Sequence, residues 1–235
     1  MSNENLNETA PTQFQEIGGV SLAYRRFGKE GAPPVVCFQH FTGTMNNFDP
    51  IHTNRLAQDR PVILVDYRGV GRSGGKMLDS MPAIAADLIA FVKARGLKEI
   101  DLFAFSIGGM IAQQFVLDAP ALVRRILLVG TGPSGGEGMQ EFSAEVMDIV
   151  NRPNSTIQER CLDLFFSKSP TSNAAGKAWL EIAARKLDRE PESKPQVAEA
   201  QLAALAKWGA IPATDRYGYL RKIKQRTLHQ YGRSG

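Results

Sequence analysis

The chain has 235 residues, 43% hydrophobic and 22% charged, with a net charge of +4 and two cysteines. This is ordinary globular composition, with length for one domain and a substantial core, or one domain carrying an insertion. It excludes a membrane-spanning run and a disulfide framework, and nucleic acid is not the expected partner: the excess charge sits in Arg221, Lys222, Lys224, Arg226 and Arg233, with no acid in 221–235 and no aromatic-and-basic surface pattern.

Residues 1–12 are polar, rich in Asn and Glu, and lack the basic start or apolar stretch of a targeting signal. They are expected as a disordered lead-in, with a cytoplasmic location as the default. Phe14–Ile17 and Val20–Phe27 flank Gly18-Gly19 and alternate, which predicts an antiparallel hairpin. Pro34–Phe38 and Pro61–Val65 are short, continuously apolar and β-branched, as strands buried on both faces of a parallel sheet are. A helix is expected between them over 49–58. Ser80 is the expected N-cap of a helix running to Arg95, with Ile84, Leu88 and Phe91 on one face. Ile100–Ala104 and Arg125–Val129 read as two further buried strands, with a helix from Gly109 between them. The order predicts an α/β fold: a doubly wound, mostly parallel sheet with an antiparallel N-terminal hairpin. The core is expected over 13–135.

The pattern changes after Gly130. Helices are expected over 143–151, 156–166, 174–187 and 195–208, with no strand between them. Residues 136–212 therefore read as an all-helical lid over the carboxyl ends of the strands, where open α/β sheets bind ligands. Residues 213–235 read as the start of a returning core followed by an aberrant basic tail.

The chemistry centres on Phe105-Ser106-Ile107-Gly108, between a predicted strand and a predicted helix. Strand, sharp turn with a central serine, helix is the setting of a nucleophile elbow. Such a turn needs small residues two before and two after the serine, and Ala104 and Gly108 stand there. Gly69-Val70-Gly71-Arg72-Ser73-Gly74 matches a dinucleotide fingerprint only in spelling, since the next helix opens near Ser80 and the next strand has no acid at its end. No cofactor is expected. No His/Cys/Asp cluster has metal-ligand spacing, so no metal is expected either.

Three features stand in one order: Gln39-His40-Phe41-Thr42-Gly43 after one strand, Asp66-Tyr67-Arg68-Gly69-Val70-Gly71-Arg72-Ser73 after the next, and then Ser106. Together they resemble the α/β-hydrolase family, in its lidded branch of esterases and cofactor-free haloperoxidases. The resemblance implies Ser106 as nucleophile and the backbone N–H groups of Phe41 and Ile107 as oxyanion donors. It implies a small apolar ester, thioester or lactone as substrate, cleaved through a Ser106 acyl-enzyme. His40 occupies the oxyanion-loop position and is expected to make a local structural bond. His52 is expected on the surface, and Asp66 and Arg68 are expected to pin their loop.

The family carries an acid and then a histidine after the lid. From Arg226 onward this chain is polar and basic, wrong for a buried strand. The last strands and helix are expected to be missing, the chain to be truncated near 226, the strand at 126–129 to be left as an open edge, and catalysis to be impaired. His229 oriented by Asp215 is the one substitute base. The alternative reading is a non-catalytic protein that binds a small apolar ligand in the same pocket.

Overall fold

The structure is a computed structural model that describes residues 6–140, 142–186, 188–210, 212 and 215–231. Strands β1 (Gln13–Ile17) and β2 (Val20–Gly28) form the predicted hairpin. Gly18 and Gly19 both have positive φ, 52° and 79°. A two-residue turn whose twist matches its strands needs such values at both positions. Strands β3 (Val35–Phe38) and β4 (Pro61–Val65) are buried at every position, as their unbroken apolar runs require. Helix α1 (Pro50–Ala57) connects them, its first turn capped by Asp49, whose side chain accepts from the Ile51 N–H.

Helix α2 (Met81–Ala94) starts after Ser80, which has the extended backbone of an N-cap but makes no side-chain capping bond. Strand β5 (Ile100–Phe105) leads through Ser106 into helix α3 (Ile107–Asp118), and strand β6 (Val123–Val129) follows. Helices α4 (Ala144–Val150), α5 (Ile157–Phe165), α6 (Pro170–Ala183) and α7 (Pro195–Gly209) come next. Strand β7 (Arg226–Gln230) completes a sheet of order β1-β2-β4-β3-β5-β6-β7. It is antiparallel from β1 to β4 and parallel from β4 to β7.

The structure corrects two expectations. Residues 226–230 do form a strand, in parallel register with β6 from Arg125↔Arg226 to Val129↔Gln230, so β6 is not the open edge. All five β7 residues are exposed. An edge strand pairs through its backbone and leaves its side chains, here including Leu228, in water, so it needs no apolar run. Residues 6–12, expected as disordered lead-in, are docked. Asn7 is buried, with its N–H on Asn54 Oδ1 at 2.8 Å and its Nδ2 on Thr53 Oγ1 at 2.9 Å. Lys186 Nζ binds the carbonyls of Asn7 and Ala10. Residues 1–5 and 232–235 lie outside the described residues.

One core cluster runs from the sheet into the later helices: Val197, Ala204, Leu205 and Trp208 of α7 share it with Phe38, Leu88, Ile111 and Phe115. Helix α7 is therefore seated on the α/β layer, above the carboxyl ends of β3 and β5.

Candidate functional site

Ser106 has φ 55° and ψ −122°, a conformation that ordinary L-residues avoid. Its surroundings impose it. The Ser106 N–H donates to Val129 O at 2.9 Å on β6, and its C=O accepts from the Gly109 N–H at 2.8 Å in the first turn of α3. Residues two either side leave room for the turn. Ala104 is fully buried, and a Cβ on Gly108 would meet the backbone of Phe38 and Gln39.

The three residues singled out from sequence come together. Ser106, Phe41 and Ile107 line one open cavity of about 310 Å³. Ile107 is the first residue of α3, so its N–H has no intrahelical acceptor. No backbone acceptor takes the Phe41 N–H among the described residues. The positive end of the α3 dipole lies beneath the same point. The rest of the lining is mostly apolar: Met110 from α3, Met139 and Phe142 from the segment before α4, and Leu205 from α7. Thr131 and Tyr231 add the remaining hydroxyls.

Sequence reasoning missed Thr131 and Tyr231. The first follows β6 and the second follows β7, so the rule that ligands sit beyond the carboxyl ends of strands could have found Thr131. Tyr231 was hidden because β7 itself was not foreseen. A second cavity of about 310 Å³, lined by Leu128, Leu220, Ile223 and His229, meets the first at these two residues.

None of the three histidines lines the Ser106 cavity. His40 packs between Phe105 and Phe165, ring centroids 5.5 and 5.4 Å away, with Nδ1 2.8 Å from Phe41 O. Burial pushes its imidazole down to about 4, against the opposing pull of that carbonyl. His52 is exposed and pairs with Asp49. His229 is exposed and stacks on Tyr231, while Asp215 pairs with Arg221, so Asp215 does not orient it.

The loop carrying Phe41 is pinned from several sides. Tyr67 Oη donates to Gln39 O at 2.8 Å. The Met45 N–H donates to Asp66 Oδ1 at 2.7 Å. The Thr42 N–H donates to Gln201 Oε1 at 2.6 Å, and Ser193 Oγ donates to Thr42 O at 2.7 Å. Arg68 instead ties the loop after β4 to α2, reaching Asp87 through two bonds of 2.6 and 2.7 Å.

Below this loop lies a buried polar cluster. Arg25 and Glu190 pair at 2.9 Å with both side chains at 0% exposure. Glu190 Oε2 also takes the N–H and Nε of Arg72, and Glu190 exchanges two bonds with Asn46. Asp66 Oδ2 is buried with no partner among the described residues. Burial, and then the charge of Glu190, hold the Asp66 carboxyl well above the usual range, against the Met45 N–H, Arg25 and Arg72. A carboxyl that holds its proton more tightly folded than unfolded stabilises the fold fully below its unfolded pKa, and that stability is lost as pH rises through the folded pKa. Asp66→Asn keeps the acceptor for Met45 and removes the proton. Its urea midpoint is therefore expected to fall less between about pH 5 and about pH 8 than that of the native chain. Equal falls in both would show that Asp66 is ionised.

Among the described residues, no group of three or more His, Cys, Asp or Glu is placed to hold a metal ion. No described helix is long and apolar enough to cross a membrane.

The model of the family described as alpha/beta hydrolase fold matches residues 33–199. An alpha/beta hydrolase fold protein from Chitinophaga pinensis superposes with a TM-score of 0.83 at 32% identity, over 97% of this chain and 90% of that one. Proline iminopeptidase PfmaB of Pestalotiopsis fici is 31% identical over 126 residues, 52% of this chain and 44% of that protein. Pyrrolizixenacetamide deacetylase of Xenorhabdus hominickii is 30% identical over 156 residues, 65% of this chain and 57% of that protein. The aligned part is thus about half the length of these two relatives. With the family model covering most of the chain and a solved relative matching nearly all of it, the chain belongs to the alpha/beta hydrolase family.

Proposed function

We propose that this protein is a serine hydrolase that attacks a small apolar ester, thioester or lactone with Ser106 and passes through an acyl-enzyme. The observation that carries the reading is the strained turn at Ser106, φ 55°, opening onto a cavity that Phe41 and Ile107 also line. Ser106 Oγ bonds to the substrate carbonyl carbon as the carbonyl oxygen gains charge. The N–H groups of Phe41 and Ile107 receive that oxyanion, and one such donor is worth about 3–4 kcal/mol in studied enzymes. Collapse expels the alcohol or thiol, which takes a proton, and leaves the acyl group on Ser106. Water then releases the acid.

The apolar lining supports an uncharged acyl group. A deacetylase and an iminopeptidase among the relatives support acyl transfer as the class of reaction. The helices over 144–209 act as the lid of this pocket.

No histidine lines the cavity, so in this chain the Ser106 proton passes to water and turnover is slow. A site without its base keeps ~10³–10⁴ over water from the oxyanion hole and binding alone. Incubation with p-nitrophenyl butyrate is expected to add one butyryl group to the native chain, and none to Ser106→Ala, by peptide mass spectrometry. Equal acylation of both would refute the nucleophile. Tight binding of the ester with no acylation would favour the second reading, a pocket that binds without turnover, which the absence of a lining histidine also supports.

A further inference from the structure

The loop that carries Phe41 is held from far along the chain. Thr42 follows Phe41 directly and sits at φ 55°, a conformation that a β-branched residue takes only when its surroundings impose it. Both of its main-chain groups are bound by the segment 193–201, the N–H by Gln201 and the C=O by Ser193. Gln201 is completely buried on α7, one turn before Leu205, which lines the Ser106 cavity. Its Nε2 has no hydrogen-bond partner among the described residues.

A buried amide that uses only one of its groups is a poor choice for packing alone. An apolar side chain of similar size would fill the same space without desolvating an unpaired donor. The single bond that Gln201 makes is what accounts for it. That bond also fixes the orientation of the amide, because a backbone N–H needs an acceptor.

We propose that Gln201 is a positioning residue: through Thr42 it fixes the aim of the Phe41 N–H, so that the oxyanion hole is complete only when α7 is seated. The inference rests on the hydrolase reading. An oxyanion donor acts through preorganisation, and its effect is lost when its peptide can swing. The Phe41 N–H belongs to the His40–Phe41 peptide, whose carbonyl accepts from the Gly43 N–H at 3.0 Å, and His40 Nδ1 stays on Phe41 O. With the Thr42 N–H released, this turn loses one of its two ties to the segment 193–201 and can shift as a unit. The slow base-free chain is a suitable place to measure this, because its residual rate comes from the oxyanion hole and binding.

The test compares Gln201→Met, which removes the acceptor, with Gln201→Glu, which keeps one. The readouts are the rate of Ser106 acylation by p-nitrophenyl butyrate and the hydrogen exchange of the Thr42 amide. Gln201→Met is expected to slow acylation ~10–100-fold at saturating ester. The half-saturating ester concentration should not move, and Thr42 exchange should quicken. Gln201→Glu is expected to recover most of the rate. Should Gln201→Met fail to fold, Ser193→Ala removes the other bond and is expected to slow acylation ~3–10-fold with the same pattern. Native acylation in Gln201→Met, a change in half-saturation alone, or unchanged Thr42 exchange would each overturn the proposal. If the native chain itself shows no Ser106-dependent acylation, the hydrolase reading fails separately. Thr42 exchange then still decides whether α7 anchors the loop.

Discussion

Gly108→Ala is expected to destabilise the fold by about 3 kcal/mol and to abolish acylation of Ser106. A Cβ at this position would press on Phe38 O, and would lie 2.7 Å from Phe38 C and 2.9 Å from Gln39 O. These are main-chain atoms at the end of β3, so no side chain can swing away. The first turn of α3 must move instead, and it carries both the Ser106 turn and the Ile107 N–H. The urea midpoint and the acylation rate should fall together. Gly74→Ala is the control. Its Cβ would make only ordinary contacts, 3.6 Å or more away, and both quantities should stay near native. A Gly108→Ala protein with native midpoint and native acylation would show that α3 has slack against β3.

Arg25→Met is expected to cost about 3–5 kcal/mol, because it leaves a buried charge without its partner. Arg25 Nη2 binds Glu190 Oε1 and the carbonyl of Asp188, Nε binds Thr12, and Nη1 binds Asn46. The guanidinium thus ties the lead-in, β2, the loop after β3 and the segment before α7 at one point. Removing it strands the Glu190 carboxylate, which among the described residues keeps Arg72 as its one remaining ion-pair partner. Glu190→Gln in the same chain should recover part of the loss, since the uncompensated charge is then gone. Urea unfolding of the two single variants and the double variant gives the coupling. Additive losses would mean that the two groups act independently, and that the pair is not the anchor described here.

The strands and the serine turn were legible because their causes are local. The runs Val35–Phe38 and Pro61–Val65 are apolar at every position, and the sheet buries every one of them. Ala104 and Gly108 bracket Ser106 because main chain and sheet leave no room there for larger groups. Strand β7 was not legible, because an exposed edge strand is specified by the neighbour it pairs with, and Arg226–Gln230 carries no burial pattern. The docking of Asn7 was hidden for a related reason: polar side chains signal solvent in a sequence, and only the folded chain supplies the partners that allow burial. The bond from Thr42 to Gln201 spans 159 positions. No window along the chain brings those two residues into view.

The anchoring of the first strands by residues near 190 has a consequence for how the chain is made. Arg25 and Glu190 are 165 positions apart, and Asn7 and Lys186 are 179 apart. At a synthesis rate of ~5–20 residues per second, Glu190 is added roughly 10–30 s after Arg25. Once β4 is made, the nascent chain holds Asp66 but still lacks Glu190, the carboxylate that pairs with the charge β2 must bring inside. Full closure of the hairpin and the loop after β3 around Arg25 is therefore expected to wait for the segment that brings Glu190.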